Sequence, residues 1–117
     1  MPLSDKYLLI ISMDVEADKE ALFNEVYDTE HIPAILKVPG VISVTRAKAV
    51  PFSIGIAGGV QDVPVGDNPM YTNIIEIESP DVLVTEEWAE AVQIGRWPDE
   101  VRPHTSNRNF ALRKVIG

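Results

Sequence analysis

The chain has 117 residues, enough for one domain around one hydrophobic core, and 45% of them are apolar, the fraction of an ordinary globular protein. Its formal net charge of −8 works against phosphate backbones and anionic membrane surfaces, so neither a nucleic-acid nor a membrane partner is expected. The absence of cysteine excludes disulfides, thiolate nucleophiles and cysteine-held zinc or iron–sulfur groups, and fits a reducing, cytoplasmic location.

Residues 6–15 (KYLLIISMDV) read as the first strand, rich in β-branched and aromatic side chains. The apolar run from Tyr7 to Met13 is too short to span a bilayer and lacks a small-residue cleavage pattern, so it is not read as a signal peptide. Tyr7, Leu9, Ile11, Met13 and Val15 share one face; Leu8, Ile10, Ser12 and Asp14 share the other. Both faces begin apolar, which predicts a central strand with cover on both sides.

Residues 18–31 predict a helix with Asp18 as its cap, Glu20 in the first turn and an apolar stripe of Leu22, Phe23, Val26 and Tyr27. Pro33 interrupts that pattern and starts a short second helical piece carrying Ile35 and Leu36, which Pro39-Gly40 closes with a tight turn. Residues 41–50 predict the second strand, with Ile42, Val44, Arg46 and Lys48 on one face. Residues 51–69 hold Pro51, Gly55, Gly58, Gly59, Pro64, Gly66 and Pro69, so an irregular loop is expected there. Phe52, Ile54, Ile56, Val60, Val63 and Val65 make that loop unusually apolar, as suits a cover over a ligand pocket or a partner subunit.

Residues 70–78 predict the third strand. Ser79-Pro80-Asp81 then starts a helix reaching about Ile94, with Val84, Trp88, Ala91 and Val92 as its buried stripe and Gly95 as its stop. Residues 96–105 are expected to be irregular, and residues 107–116 form the last strand. The resulting βαββαβ order defines an α+β, ferredoxin-like sandwich, 1–117 as a single domain: a four-stranded antiparallel sheet with two helices on one face. Helices cover only that face, yet Leu8, Ile10 and Ile74 lie on the other, so a homodimer paired through the sheet is expected.

Tyr27-Asp28-Thr29-Glu30-His31-Ile32-Pro33, followed by Pro39-Gly40-Val41 and Arg46, resembles the helix-to-strand segment of the dimeric α/β-barrel superfamily, and of its EthD-like and stress-responsive members most closely. The resemblance implies two ferredoxin-like protomers paired sheet to sheet. It also implies an activity among cofactor-free monooxygenases, isomerases and cyclases of aromatic or polyketide compounds, haem enzymes, or proteins without known activity. The apolar 51–69 insertion is not part of the common pattern.

His31 is the leading candidate for chemistry. The resemblance places a histidine there beside a cavity between sheet and helices, where it orients or deprotonates a phenol or enol. The alternative is a histidine capping carbonyls at a helix end. Asp28, three residues earlier, is positioned to fix the tautomer of His31, or else is a solvated helix charge. Glu25, Asp28 and His31 fan too widely for a metal site, and no metal or cofactor is expected. Arg46 is mid-strand and needs a carboxylate or a ligand anion; Glu76 on the third strand is the expected partner. Trp97 and Tyr71 are candidate ligand-binding residues, Trp88 is expected in the core, and His104 in a surface loop away from His31. The segment from Gly55 to Gly59 lacks phosphate-loop spacing. Two functions remain open: transformation of a small apolar organic molecule with His31 as base or orienting group, and non-catalytic ligand binding by a dimer. A haem-handling barrel is a weaker third.

Overall fold

The computed structural model describes residues 6–117. The first strand, β1 (Tyr7–Val15), is followed by a helical region: a 3₁₀ turn over Ala17–Lys19, α1 (Glu20–Val26), a π-helical turn over Tyr27–His31 and α2 (Ile32–Leu36). Then come β2 (Val41–Lys48), β3 (Phe52–Ile56), β4 (Gly59–Val63) and β5 (Tyr71–Ile77). A 3₁₀ turn over Pro80–Val84, α3 (Glu86–Ala91), a second π turn over Trp97–Val101, a 3₁₀ turn over Arg102–His104 and β6 (Thr105–Lys114) complete the chain. Among the described residues, no helix is long and apolar enough to cross a membrane.

Four strands form one antiparallel sheet in the order β2-β5-β1-β6. Strands β1 and β5 are therefore central and β2 and β6 lie at the edges, the ferredoxin-like arrangement that the βαββαβ order predicts. Ile10 lies opposite Ile74 on β5 and Ala111 on β6, and Leu9 lies opposite Ile75 and Leu112. This register sends Leu9, Ile11, Met13, Tyr71, Ile75 and Ile77 to the helix side, where they bury against Phe23, Val26, Tyr27, Ile35, Val82 and Val101. Each large apolar side chain buried in this way contributes about 1.5–3 kcal/mol.

The helical region departs from a single capped helix. Asp18 is not a cap but part of the 3₁₀ turn before α1. At the other end, Ile32 N–H reaches back five residues to the Tyr27 carbonyl. Pro33 supplies the reason: it has no N–H to give the Thr29 carbonyl, and its ring would collide with that carbonyl in a regular helix. A wider turn just before it relieves both faults. The same pairing recurs at Pro103, where Arg102 N–H reaches the Trp97 carbonyl. The second predicted helix is likewise split. Thr85 accepts from Trp88 N–H through its Oγ1 and so caps a new start for α3, which turns Val84 outward, 85% exposed rather than buried. On β2, a register shift between Val41 and Ser43 leaves Ile42 exposed instead of sharing the inner face with Val44 and Arg46.

Residues 51–69 correct the expectation of an irregular loop. β3 and β4 pair as an antiparallel hairpin with Ile56 opposite Gly59. The two connecting residues, Ala57 and Gly58, both have positive φ, 33° and 89°, the geometry of a tight hairpin turn. Phe52, Ile54 and Ile56 alternate with Ser53 and Gly55, but the density of glycine and proline reads as loop, and Ala-Gly lacks the Asn-Gly or Asp-Gly signature of such turns. The hairpin sets Phe52, Ile54, Ile56 and Val63 on one face, and Phe52, Ile54 and Ile56 are exposed. Its exposure accounts for a radius of gyration of 16.1 Å, against about 13 Å for a compact chain of this length.

Gly40 closes the link from α2 to β2 with φ +92°, and a Cβ there would run into the Val82 side chain. Gly40→Ala is expected to lower unfolding stability by about 2 kcal/mol or more, from left-handed backbone strain plus overpacking, in urea titrations.

Candidate functional site

The π turn sets the site. In a regular helix each four-residue step drifts about 40°, so Phe23, Tyr27 and His31 would fan out around the axis. The wider turn between Tyr27 and His31 reverses that drift and keeps all three rings pointed inward. Phe23 and Tyr27 lie 5.1 Å apart between ring centroids, and Tyr27 meets the His31 ring edge-on at 4.9 Å. Trp97 completes the cluster: it stacks on His31 at 4.5 Å and meets Tyr27 edge-on at 5.1 Å.

What holds Trp97 there is a charged clamp. Glu30 accepts from the Arg96 backbone N–H at 2.8 Å and from its Nε at 2.7 Å, and Glu25 adds a second carboxylate at 2.9 Å. The charge-assisted bonds from Arg96 hold the Glu30 carboxyl below its ordinary range. The segment after α3 is thereby pinned to the π turn, one residue from each aromatic partner. Gly95, with φ +70°, leaves the room that the Glu30 side chain occupies.

Beneath this cluster lies a cavity of about 280 Å³. Ile11 and Met13 of β1 and Arg108 and Phe110 of β6 line its sheet side; Trp88 and Val92 line its helix side. Tyr27, His31, Trp97 and Arg102 complete the wall. His31 is 5% exposed, and its Nδ1 is buried with no hydrogen-bond partner. Burial first, and the positive charge of Arg102 second, push its pKa down to about 4. The imidazole is therefore neutral at pH 7 and offers one N–H and one lone pair. Tyr27, which receives a 3.3 Å hydrogen bond from Asn73, has its phenol pKa raised by burial, so it too is neutral.

The structure divides the predicted site residues into two groups. His31 and Trp97 come together at the cavity, both of them buried. Arg46, Asp28 and Tyr71 gather on the other side of Tyr27, at the β2 end of the sheet. Arg46 bonds Asp28 at 2.8 Å and the Asn24 side chain at 2.6 Å, and its guanidinium lies 4.9 Å from the Tyr27 ring centroid. The expected Arg46–Glu76 pair does not form. Glu76 points to the opposite face of the sheet and accepts from Ser43, whereas Arg46 stands opposite Asn73. Nor does Asp28 orient His31, because its carboxylate is taken by Arg46 and the π turn swings His31 inward. Glu25, Asp28 and His31 do not converge: the first pairs with Arg96, the second with Arg46. Tyr71 donates its hydroxyl to Glu20, and with Asn24, Arg46, Ala47 and Lys48 it lines a separate, open recess. His104 pairs with Glu16 away from the cavity.

Arg102, Arg108 and Phe110 were missed as cavity residues. Period-two alternation along residues 107–116 does put Arg108, Phe110 and Leu112 on one face, but only the pairing of Ile11 with Phe110 aims that face at His31. Trp88, expected as core, lines the cavity as well. No residue of 51–69 lines it.

Sheet order and helix placement together define a ferredoxin-like α+β fold. Among solved structures, an ethyl tert-butyl ether d (EthD) family protein from Bacillus halodurans matches over 95% of this chain and 99% of that one, with TM-score 0.60 and 13% identity. The heme-degrader MhuD from Mycobacterium tuberculosis, solved with two hemes bound in its active site, matches over 94% of this chain and 95% of its own, with TM-score 0.54 and 14% identity. At these identities the likeness is one of fold. No family model and no curated protein matches the sequence.

Because the folded state disfavours the His31 imidazolium, the unfolded chain binds more protons between the two pKa values, and stability rises with pH there. The contribution is fully present above the unfolded value of 6.5 and is lost as pH falls toward about 4. Going from pH 7.5 to 5.0 is expected to cost the wild type about 2 kcal/mol through this residue, and His31→Phe is expected to remove that share in paired urea titrations.

Proposed function

We propose that this chain is a homodimeric single-domain protein that binds and orients a small, largely apolar organic molecule in the cavity beside His31, for a cofactor-independent transformation of the monooxygenase, isomerase or cyclase kind. One observation carries the reading: a buried, neutral histidine with an unpartnered ring nitrogen, stacked on a tryptophan at the wall of a ligand-sized cavity. A buried polar atom without a partner costs about 1–3 kcal/mol, a cost that a ligand hydroxyl or carbonyl would remove once the ring turns the closed-off Nδ1 toward the cavity. The volume lies just under the usual range for small-molecule sites, about 300–1,000 Å³, which suits one or two rings and not a tetrapyrrole.

The depressed pKa favours one of the two roles of His31. Removing a proton from a phenol near pKa 10 with a base near pKa 4 is uphill by about 8 kcal/mol. Orientation by a hydrogen bond has no such barrier, so His31 is the orienting group. Asp28 then acts at a distance, by holding Arg46 against the Tyr27 ring.

Small-molecule extraction of the purified protein, followed by mass spectrometry, is expected to recover an aromatic or polyketide-like compound. On a substrate found in this way, His31→Ala is expected to lower turnover by about a hundredfold through lost orientation of the ligand, with the oligomer intact. Undiminished turnover would remove His31 from the mechanism. Recovery of the compound unchanged after prolonged incubation would leave a ligand-binding protein without catalysis.

The dimer reading is supported by two apolar surfaces that, among the described residues, no other element packs over: the sheet face bearing the half-buried Leu8, Ile10 and Ile74, and the hairpin face bearing the exposed Phe52, Ile54 and Ile56. An isolated two-stranded hairpin is marginal in water, and a second protomer would supply the missing layer. Ile10→Asp combined with Ile54→Asp is expected to convert the dimer to monomer in light-scattering measurements. A cytoplasmic location belongs to the same reading.

A further inference from the structure

Resting on that reading of the cavity, we infer that its ligand is an aromatic carboxylate: one or two planar rings held along Trp88, Trp97 and Phe110, with the carboxylate received by Arg102 and Arg108 and a ring substituent facing His31. The chain has 18 acidic residues against 10 lysines and arginines, so carboxylates are abundant. Arg46 and Arg96 are each salt-bridged to them. Among the described residues, neither Arg102 nor Arg108 has a carboxylate within ion-pair distance, although both line the cavity. Arg102 gives one N–H to the Val92 carbonyl at 2.9 Å, which fixes its direction and leaves the rest of its fork available. Arg108 lies over the Phe110 ring, 5.3 Å from its centroid, a cation–aromatic contact that keeps the side chain at the cavity mouth.

The two positive charges act inside the cavity and not only at its rim. Arg102 contributes to suppressing protonation of His31, and Arg108 lowers the cost of ionising Tyr27. An anion between them would gain charge-assisted hydrogen bonds of the planar, forked type that guanidinium groups form with carboxylates. Three aromatic side chains in the lining, Trp88, Trp97 and Phe110, favour a ring system over an aliphatic chain. A neutral His31 adds a donor or an acceptor for a hydroxyl or carbonyl on the ring, so the ligand would be held by its charge and by its substituent at two separate points.

The test uses 2-naphthoate and its neutral isostere 2-naphthamide as probes, followed by quenching of Trp88 and Trp97 fluorescence near pH 7.5. The expected result is naphthoate binding about tenfold tighter than the amide, or more. Arg108→Gln, an exposed position outside the core, is expected to weaken naphthoate about tenfold and leave the amide unchanged; Arg102→Gln is expected to do the same if the fold survives, as circular dichroism reports. Equal binding of the two probes, unaffected by Arg108→Gln, would overturn the carboxylate assignment while keeping a cavity that binds aromatic molecules. No binding of either probe would overturn both.

Discussion

The site depends on the way the chain passes Pro33. A proline inside a helix removes one backbone hydrogen bond and crowds the carbonyl four residues before it. Here the cost is met by a π turn over Tyr27–His31, and that turn carries the consequences for everything near it. It lines up three aromatic-type side chains that a uniform helix would spread, and it directs His31 into the interior. It also releases Asp28 toward the sheet and Glu30 toward the segment after α3. A second π turn, ahead of Pro103, brings Trp97 to face His31 in the same manner.

Charge then locks what the turns arrange. Arg46, bonded to Asp28 and Asn24, anchors the outer side of the first helical region to β2 and covers the Tyr27 ring. Arg96, bonded to Glu25 and Glu30, anchors the inner side to the loop bearing Trp97. Both pairs are partly exposed, so their direct contribution to stability is small. Their importance is positional. They fix two elements of different origin against the same aromatic cluster, and in doing so leave Arg102 and Arg108 as the arginines that face the cavity without a carboxylate.

Part of this was legible in the residues alone. The βαββαβ order was sufficient for the ferredoxin-like fold, because strand and helix periods are local properties, and the segment from Tyr27 to Val41 added a resemblance that pointed the same way. His31 was identifiable from its place beside Pro33 in the segment that carries the resemblance, and Trp97 from its place just after Gly95, beyond the second helix. The hairpin does not read as one, since its turn uses Ala57 at positive φ and the many glycines and prolines of residues 51–69 read as loop, although Phe52, Ile54 and Ile56 do alternate with Ser53 and Gly55. The partners of Arg46 and Asp28 were not legible either: Glu76 is a neighbour of Arg46 in sheet order but faces the opposite side, which register alone decides.

The sequence by itself determined the element order, the acidic balance, the apolar faces of β1 and β5 and the presence of a histidine just before a helix-interrupting proline. Each follows from side-chain type and spacing along one stretch of chain. Only the tertiary structure decided that His31 lies against Trp97, 66 positions later in the chain, that it is neutral, and that Arg102, Arg108 and Phe110 share its cavity. The physical reason is that these are consequences of strand register, burial and the phase of two widened helical turns. All three are set by packing between distant segments and leave no local periodicity to read.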